Sequence, residues 1–357
     1  MFEVGLVGLG NIGSSTSPMM EKYAPNHLLP ASHAEAIKGH GSFILKGVCD
    51  IDEKKIRDYR FANKNVESFL DYQDMLKQNY STISIATRTR GRTLLIEQAI
   101  ESGVDSIHFE KPLCNSYSEL EAFRELTRDN KKLLTYGCWR RYLGRYKFIR
   151  DYLRSGALGK HIQTSISFGN SLLMWTHTHS IDLINFFAEP AHPISVSADL
   201  RNLQYALDNK DCVITDPYVR EMTIDYSDGH LGSITQGSGM QVTLYCEFGT
   251  VLIRNDAEVV TIYSKKDDDP YYRLEEDLNF PAQKYKGLTE VFELHRLGLE
   301  GSKLAMHESS MAIKSSIHSM GVIFAALESS VRKKERVELG DHSKDLIILA
   351  KHGDRYA

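Results

Sequence analysis

A chain of 357 residues is long for one hydrophobic core and points to two domains. Its 42% apolar and 25% charged residues are ordinary for a globular protein, and a net charge of −4 offers no electrostatic footprint for nucleic acid or an anionic membrane. The five cysteines (Cys49, Cys114, Cys138, Cys212, Cys246) are scattered, with no CxxC pair, and fit reduced thiols in a cytoplasmic protein better than a disulfide framework or zinc site.

The chain opens in a strand, so no signal peptide is expected, and no apolar run approaches the ~20 residues of a membrane span. Val4–Val7 feeds into Gly8-x-Gly10-x-x-Gly13, the spacing of a dinucleotide-binding turn. Gly8 permits the tight turn and Gly10 lets a pyrophosphate approach bare backbone. Gly13 lets the first helix pack against the strand, with its N-terminal N–H groups facing the phosphates. Residues 16 to 31, with Pro18, Pro25 and Pro30, cannot be one regular helix and read as an inserted loop, either a lid, a subunit contact or a solvent loop. Ser32 to Ile37 reads as helix, and Phe43 to Val48 as the second strand. That strand ends in Cys49-Asp50. Asp50, 37 residues beyond Gly13, is the candidate for the adenosine ribose and for NAD over NADP, or else a cap for the helix Glu53 to Phe61.

Ser81 to Thr87 is a buried parallel strand followed by Arg88, Arg90 and Arg92, which either hold a phosphate or carboxylate or are simply solvated. Gly103 to Phe109 is the next strand, ending in Glu110-Lys111-Pro112. A lysine at a strand's carboxyl end can do acid–base work, although the tripeptide taken alone is commonly a surface turn. Past residue 140 the βαβ rhythm stops. Ile162 to Phe168, Ile194 to Leu200, Val219 to Tyr226, Leu231 to Gln236, Val242 to Phe248 and Thr250 to Arg254 read as strands, and Thr289 to Leu299 and Ser310 to Arg332 as helices.

The ordered set GLVGLGNIG, CDID, ISIAT, EKPL, LLTYG, Arg141-Tyr142, SGALGK and His179-Ser180-Ile181-Asp182 resembles the Gfo/Idh/MocA family of NAD(P)-dependent oxidoreductases over nearly the whole chain. The resemblance implies an α/β Rossmann-type domain over 1–140 and an α+β domain with an open, mainly antiparallel sheet over 141–357. It implies NAD (or NADP) held by Gly8, Gly10, Asn11, Ile12, Gly13, Asp50, Ala86, Thr87, Arg88, Glu110 and Lys111. It carries the acid–base roles onto Lys111 and His179, and substrate contacts onto Lys111, Arg141, Trp175, His177, His179 and Asp182. Trp175 stands where the family commonly has an aspartate, and His177 where it has a glycine, which removes a polar handle for a sugar hydroxyl.

If His179 begins a helix, Asp182 shares its face and can orient it. In an extended segment His177 and His179 would point the same way; no further ligand cluster supports a metal there. The implied substrate is a sugar, inositol or nucleotide-linked sugar, with Arg140, Arg141, Tyr142 and Arg145 available to an anionic part of it. The alternatives are a reductase of a non-sugar carbonyl, imine or conjugated double bond, and a catalytically silent nicotinamide-nucleotide sensor with a protein partner. A broad sheet face in need of cover suggests a homodimer or homotetramer.

Overall fold

The computed structural model describes residues 1–265 and 269–350. Six short segments form one parallel sheet: β1 (Phe2–Val7), β2 (Phe43–Cys49), β3 (Glu67–Phe69), β4 (Thr82–Ile85), β5 (Ser106–Phe109) and β6 (Leu133–Tyr136). Their order, β3-β2-β1-β4-β5-β6, reverses between β1 and β4, the point where a doubly wound sheet opens a crevice for a dinucleotide. Residues 82–85, 106–109 and 133–136 are buried on both faces, as the helices on either side require.

The glycine turn follows the sequence reading in two positions. Gly8 sits at φ +94°, and a Cβ there would come within 2.7 Å of the Ala86 carbonyl oxygen. A Cβ on Gly13 would overlap the Gly8 carbonyl. The helix that follows is only one turn, Asn11–Ser14, because Ser15 is extended and the proline-containing segment takes over. Residues 16–31 fold as a short helix, Pro18–Tyr23, and a 3-10 turn, Asn26–Leu28, docked on the second half of the chain. Gly287 N–H donates to His27 O, and Leu288 N–H to Pro30 O.

Among the described residues the second sheet has nine strands, antiparallel except where His161–Ser167 pairs with Leu231–Thr235. One face, with Ile166, Ile224, Ile234 and Leu244, packs on the helices His177–Ala188 and Lys303–Val331. The opposite face presents Gln163, Ser165, Thr223, Ser233, Thr243 and Leu252, a more polar surface than the sequence reading anticipates. A small sheet of Tyr205–Ala206, Asn209–Val213 and Ile347–Ile348 stands beside it.

The helix expected over 310–332 begins earlier, at Lys303, capped by Ser302. Among the described residues it is the one helix long and apolar enough to cross a membrane by length and composition, which corrects the expectation that no such run exists. It is a core helix here. Ser309 Oγ accepts from Leu134 N–H of β6 at 2.8 Å and Ser329 Oγ accepts from Ala198 N–H at 2.9 Å, so it joins both sheets.

Candidate active site

The carboxyl ends of β1, β2, β4 and β5 lie along one edge of the parallel sheet, the edge at which doubly wound folds bind ligands. A Cβ on Gly10 would meet nothing within 4 Å, and its φ of −69° is open to any residue, so glycine is needed there for space above the chain and not for conformation. This bare cradle fits a pyrophosphate. Asn11 and Ile12 open the helix turn, where amide donors lack intrahelical acceptors. Asp50 closes the β2 side. Its Oδ2 accepts from Leu9 N–H at 2.7 Å and its Oδ1 from Asp52 N–H at 2.9 Å. The helix after β2 is capped by Asp52, not by Asp50. Asp50 therefore braces the glycine turn from the end of β2.

Ala86 packs beneath Gly13, and Arg88 and Arg90 are exposed at the end of β4. Arg92 is different. It is buried, and its guanidinium donates to Glu110 O at 2.7 Å and to the carbonyls of Pro112 and Thr87, tying the two strand ends together. Desolvation lowers its pKa to about 10. Its two terminal nitrogens serve the backbone, and its Nε–H is buried without a hydrogen-bond partner. Glu110 also departs from expectation. Its carboxylate turns inward, with Oε2 accepting from the Lys111 amide at 3.1 Å and Oε1 lying 3.3 Å from His33 Nε2, so it does not face the cofactor crevice.

Lys111 precedes a cis peptide to Pro112. Its Nζ donates to Trp175 O at 2.9 Å and lies 3.7 Å above the Trp175 ring centre. Burial lowers its pKa from the ordinary lysine value, only partly offset by Glu110. Trp175 is held by Asp216, whose carboxylate accepts from Met174 N–H (2.8 Å) and Trp175 N–H (3.0 Å). The sequence reading missed Asp216; the available signal was Thr215-Asp216-Pro217, a turn-forming triplet between strands.

The helix expected to open at His179 opens at His177. Both histidines are thus in its first turn and do not share a face as in an extended segment. His177 is fully buried, its Nδ1 3.1 Å from Ser180 Oγ, and desolvation takes its pKa to about 4. It packs inside and does not line the cleft. His179 keeps a buried Nδ1 without a hydrogen-bond partner, and burial, then Arg140 and Lys111, push its pKa well below the usual value, leaving the ring neutral. Asp182 does not orient His179. It accepts from Arg141 Nη1 at 2.5 Å and from Ser315 Oγ at 2.6 Å.

Arg141, 1% exposed, spends its other nitrogen on Glu189, and the two carboxylates push its pKa up against burial. It is a core ion pair, out of reach of a substrate. Arg140 is likewise paired, to both Asp256 carboxylate oxygens at 2.6 Å, and Tyr146 O–H donates to the same group at 2.8 Å. Arg145 donates to Ala257 O at 2.6 Å. Lys111 lies against Trp175, and His179 lies within electrostatic reach of Lys111.

Residues 2–138 match the family described as "Oxidoreductase family, NAD-binding Rossmann fold" (Gfo/Idh/MocA). A curated relative, myo-inositol 2-dehydrogenase of Thermotoga maritima, is 22% identical over 158 residues, 44% of this chain and 42% of that protein, so the match spans less than half of the relative. An NAD-binding oxidoreductase of Klebsiella pneumoniae has the same fold at a TM-score of 0.71 and 14% identity, covering 95% of this chain and 99% of that one. The WlbA dehydrogenase of Bordetella pertussis, solved with NADH and UDP-GlcNAcA, superposes at a TM-score of 0.67 and 17% identity, covering 95% and 98%.

Proposed function

We propose that this chain, a Gfo/Idh/MocA oxidoreductase by its NAD-binding domain, moves a hydride to or from a secondary alcohol or ketone carbon of a sugar, inositol or nucleotide-linked sugar. The carrying observation is Lys111. Its amine stands at the carboxyl end of β5, desolvated, against Trp175 and within the electrostatic reach of His179. The inositol dehydrogenase relative and the WlbA dehydrogenase solved with UDP-GlcNAcA support the substrate class.

Gly8, Gly10, Asn11, Ile12 and Gly13 would cradle NAD, with Asp50 on the ribose side, and the cofactor would supply the hydride acceptor or donor. In the oxidising direction the Lys111 amine, its proton weakened by burial, takes the hydroxyl proton. The neutral His179 imidazole accepts or returns that proton through its unpartnered Nδ1. Trp175 excludes water over the amine and offers an aromatic face in place of a carboxylate. That face favours the CH side of a sugar ring, and it equally suits a non-sugar carbonyl, which is the second reading. Asp50 favours NAD over NADP by repelling a 2′-phosphate.

Two copies pair through the open face of the second sheet; a single mass of one chain by light scattering at micromolar concentration would contradict this. The functional test is nicotinamide turnover on a panel of sugars, inositols and sugar nucleotides, wild type beside Lys111→Met. Activity on one class, lost in the variant, supports the proposal. Binding of NAD without turnover on any substrate favours the silent sensor.

A further inference from the structure

On one face of the first sheet, β4, β5 and β6 set Ser84, His108 and Thr135 side by side in register, all three fully buried. A polar row inside a parallel sheet costs free energy unless each group is satisfied. The helix His33–Gly39 lays His33, also fully buried, over this row. His33 Nδ1 is 2.7 Å from Ser84 Oγ and its Nε2 is 3.3 Å from Glu110 Oε1. With Nε2 protonated, the ring accepts from the serine hydroxyl and donates to the carboxylate. The other carboxylate oxygen accepts the Lys111 amide. Gly137 seals the arrangement, since a Cβ there would lie 2.9 Å from the Glu110 Cα and carboxyl carbon.

We infer that His33 is a positioning residue for Lys111: held by Ser84, it fixes the Glu110 carboxylate, which grips the Lys111 backbone and balances the amine's charge. The inference rests on the proton-transfer role proposed for Lys111. It also gives the 16–31 insertion a task. Thr16 Oγ accepts from Ala31 N–H at 2.9 Å, closing the insertion's two ends on each other, and donates to Glu35. Glu35 also accepts from Ser32 Oγ, so the insertion anchors the first turn of the helix that carries His33.

The charged and titratable groups around the relay are few. Glu110 faces His33, Lys111 and Arg92; against burial, which pushes it up, these hold its carboxyl below the ordinary value. Lys111 faces Glu110, Cys138, Arg92 and Asp216, with His179 across the cleft. His108 lies beside His33 and joins His295 through Thr135, and burial lowers both histidines strongly. The donor atoms of His33, His108 and Glu110 lie within 4.8 Å of one another, a set that could hold a divalent ion. Lys111 and Arg92 already face the one carboxylate, so a dication there would meet two positive charges, and the relay is the reading we favour.

The test uses the full chain and needs no substrate: pH-dependent acetylation of Lys111 by acetic anhydride, read by mass spectrometry, in wild type, His33→Leu, His33→Gln and Ser84→Ala. Losing the donor favours protonated Glu110 and withdraws charge support from the lysine, so His33→Leu shifts the labelling midpoint down by about one pH unit. The glutamine amide replaces the donor and restores the midpoint. Ser84→Ala, the mildest change, shifts it in the same direction by less, and stands in if His33→Leu does not fold. Where turnover exists, kcat in His33→Leu falls about tenfold with KM unchanged and His33→Gln rescues it.

A midpoint unmoved in every folded variant overturns the inference. So does a stoichiometric divalent metal in wild type that His33→Gln loses. Wild-type silence on every substrate, with the labelling shift present, defeats the proposed reaction and leaves the positioning intact.

Discussion

Gly10→Ala separates cofactor binding from folding. At φ −69° and ψ −178° alanine is unstrained, and its methyl meets no protein atom within 4 Å. A Gly→Ala change at such a position stabilises the fold by about 0.4–1 kcal/mol, because the unfolded chain loses freedom. The same methyl projects into the cradle assigned to the pyrophosphate, and a tenfold loss of NAD affinity corresponds to about 1.4 kcal/mol. Linkage sets the readout. At NAD one hundred times the wild-type Kd, wild type gains about 2.7 kcal/mol, whereas a tenfold weaker variant gains about 1.4 kcal/mol. Thermal scans with and without NAD should therefore show an equal or higher melting temperature for the apo variant and roughly half the NAD-induced stabilisation. Wild-type NAD affinity in Gly10→Ala would refute the placement of the pyrophosphate.

Gly13→Ala should behave oppositely, because its Cβ overlaps the Gly8 carbonyl; a cost of about 1–3 kcal/mol in urea unfolding is expected even without NAD. Asp50→Asn keeps an acceptor for Leu9 N–H and removes the charge, so the preference for NAD over NADP, measured as the ratio of Kd values, should fall about tenfold with little change in stability. Asp256→Asn breaks the bidentate pair with Arg140 and should cost about 3–5 kcal/mol near neutral pH. Burial pushes the Asp256 pKa up but Arg140 holds it below its ordinary value, so its contribution is present above about pH 4 and is lost as pH falls through the lower folded value. Urea titrations should show the difference between wild type and variant narrowing only in that acid range. Alcohol oxidation should rise with pH to a plateau whose midpoint lies below that of an ordinary lysine, since burial weakens the Lys111 proton.

The architecture was legible because its signals are local. Gly8 needs a positive φ and Gly13 a close approach, and both requirements are written as glycine at fixed spacing after an apolar strand. Lys111 stands out in the sequence as the lysine of Glu110-Lys111-Pro112, just past the end of β5, and its role is the proposal made above. The roles of Arg92, Arg141 and Asp182 were not, because an arginine near a strand end reads alike whether it meets a ligand or a buried carbonyl. Their partners, Glu110 and Pro112 for Arg92, Glu189 for Arg141 and Ser315 for Asp182, lie far along the chain. The helix start at His177 was hidden because Thr176, its cap position, makes no side-chain cap bond, and His179 stands where a capping box would have Glu or Gln. His33 was read only as part of a helix; nothing local ties it to Glu110, 77 positions away.

The central claim is that the Lys111 amine carries the proton during nicotinamide-linked turnover. The most direct measurement is turnover of NAD with the panel of sugars, inositols and sugar nucleotides by wild type and Lys111→Met, with NAD affinity measured on both. The account predicts one active substrate class, a loss of kcat of at least about a hundredfold in the variant, and comparable NAD binding. Undiminished kcat in a Lys111→Met protein that binds NAD would contradict it.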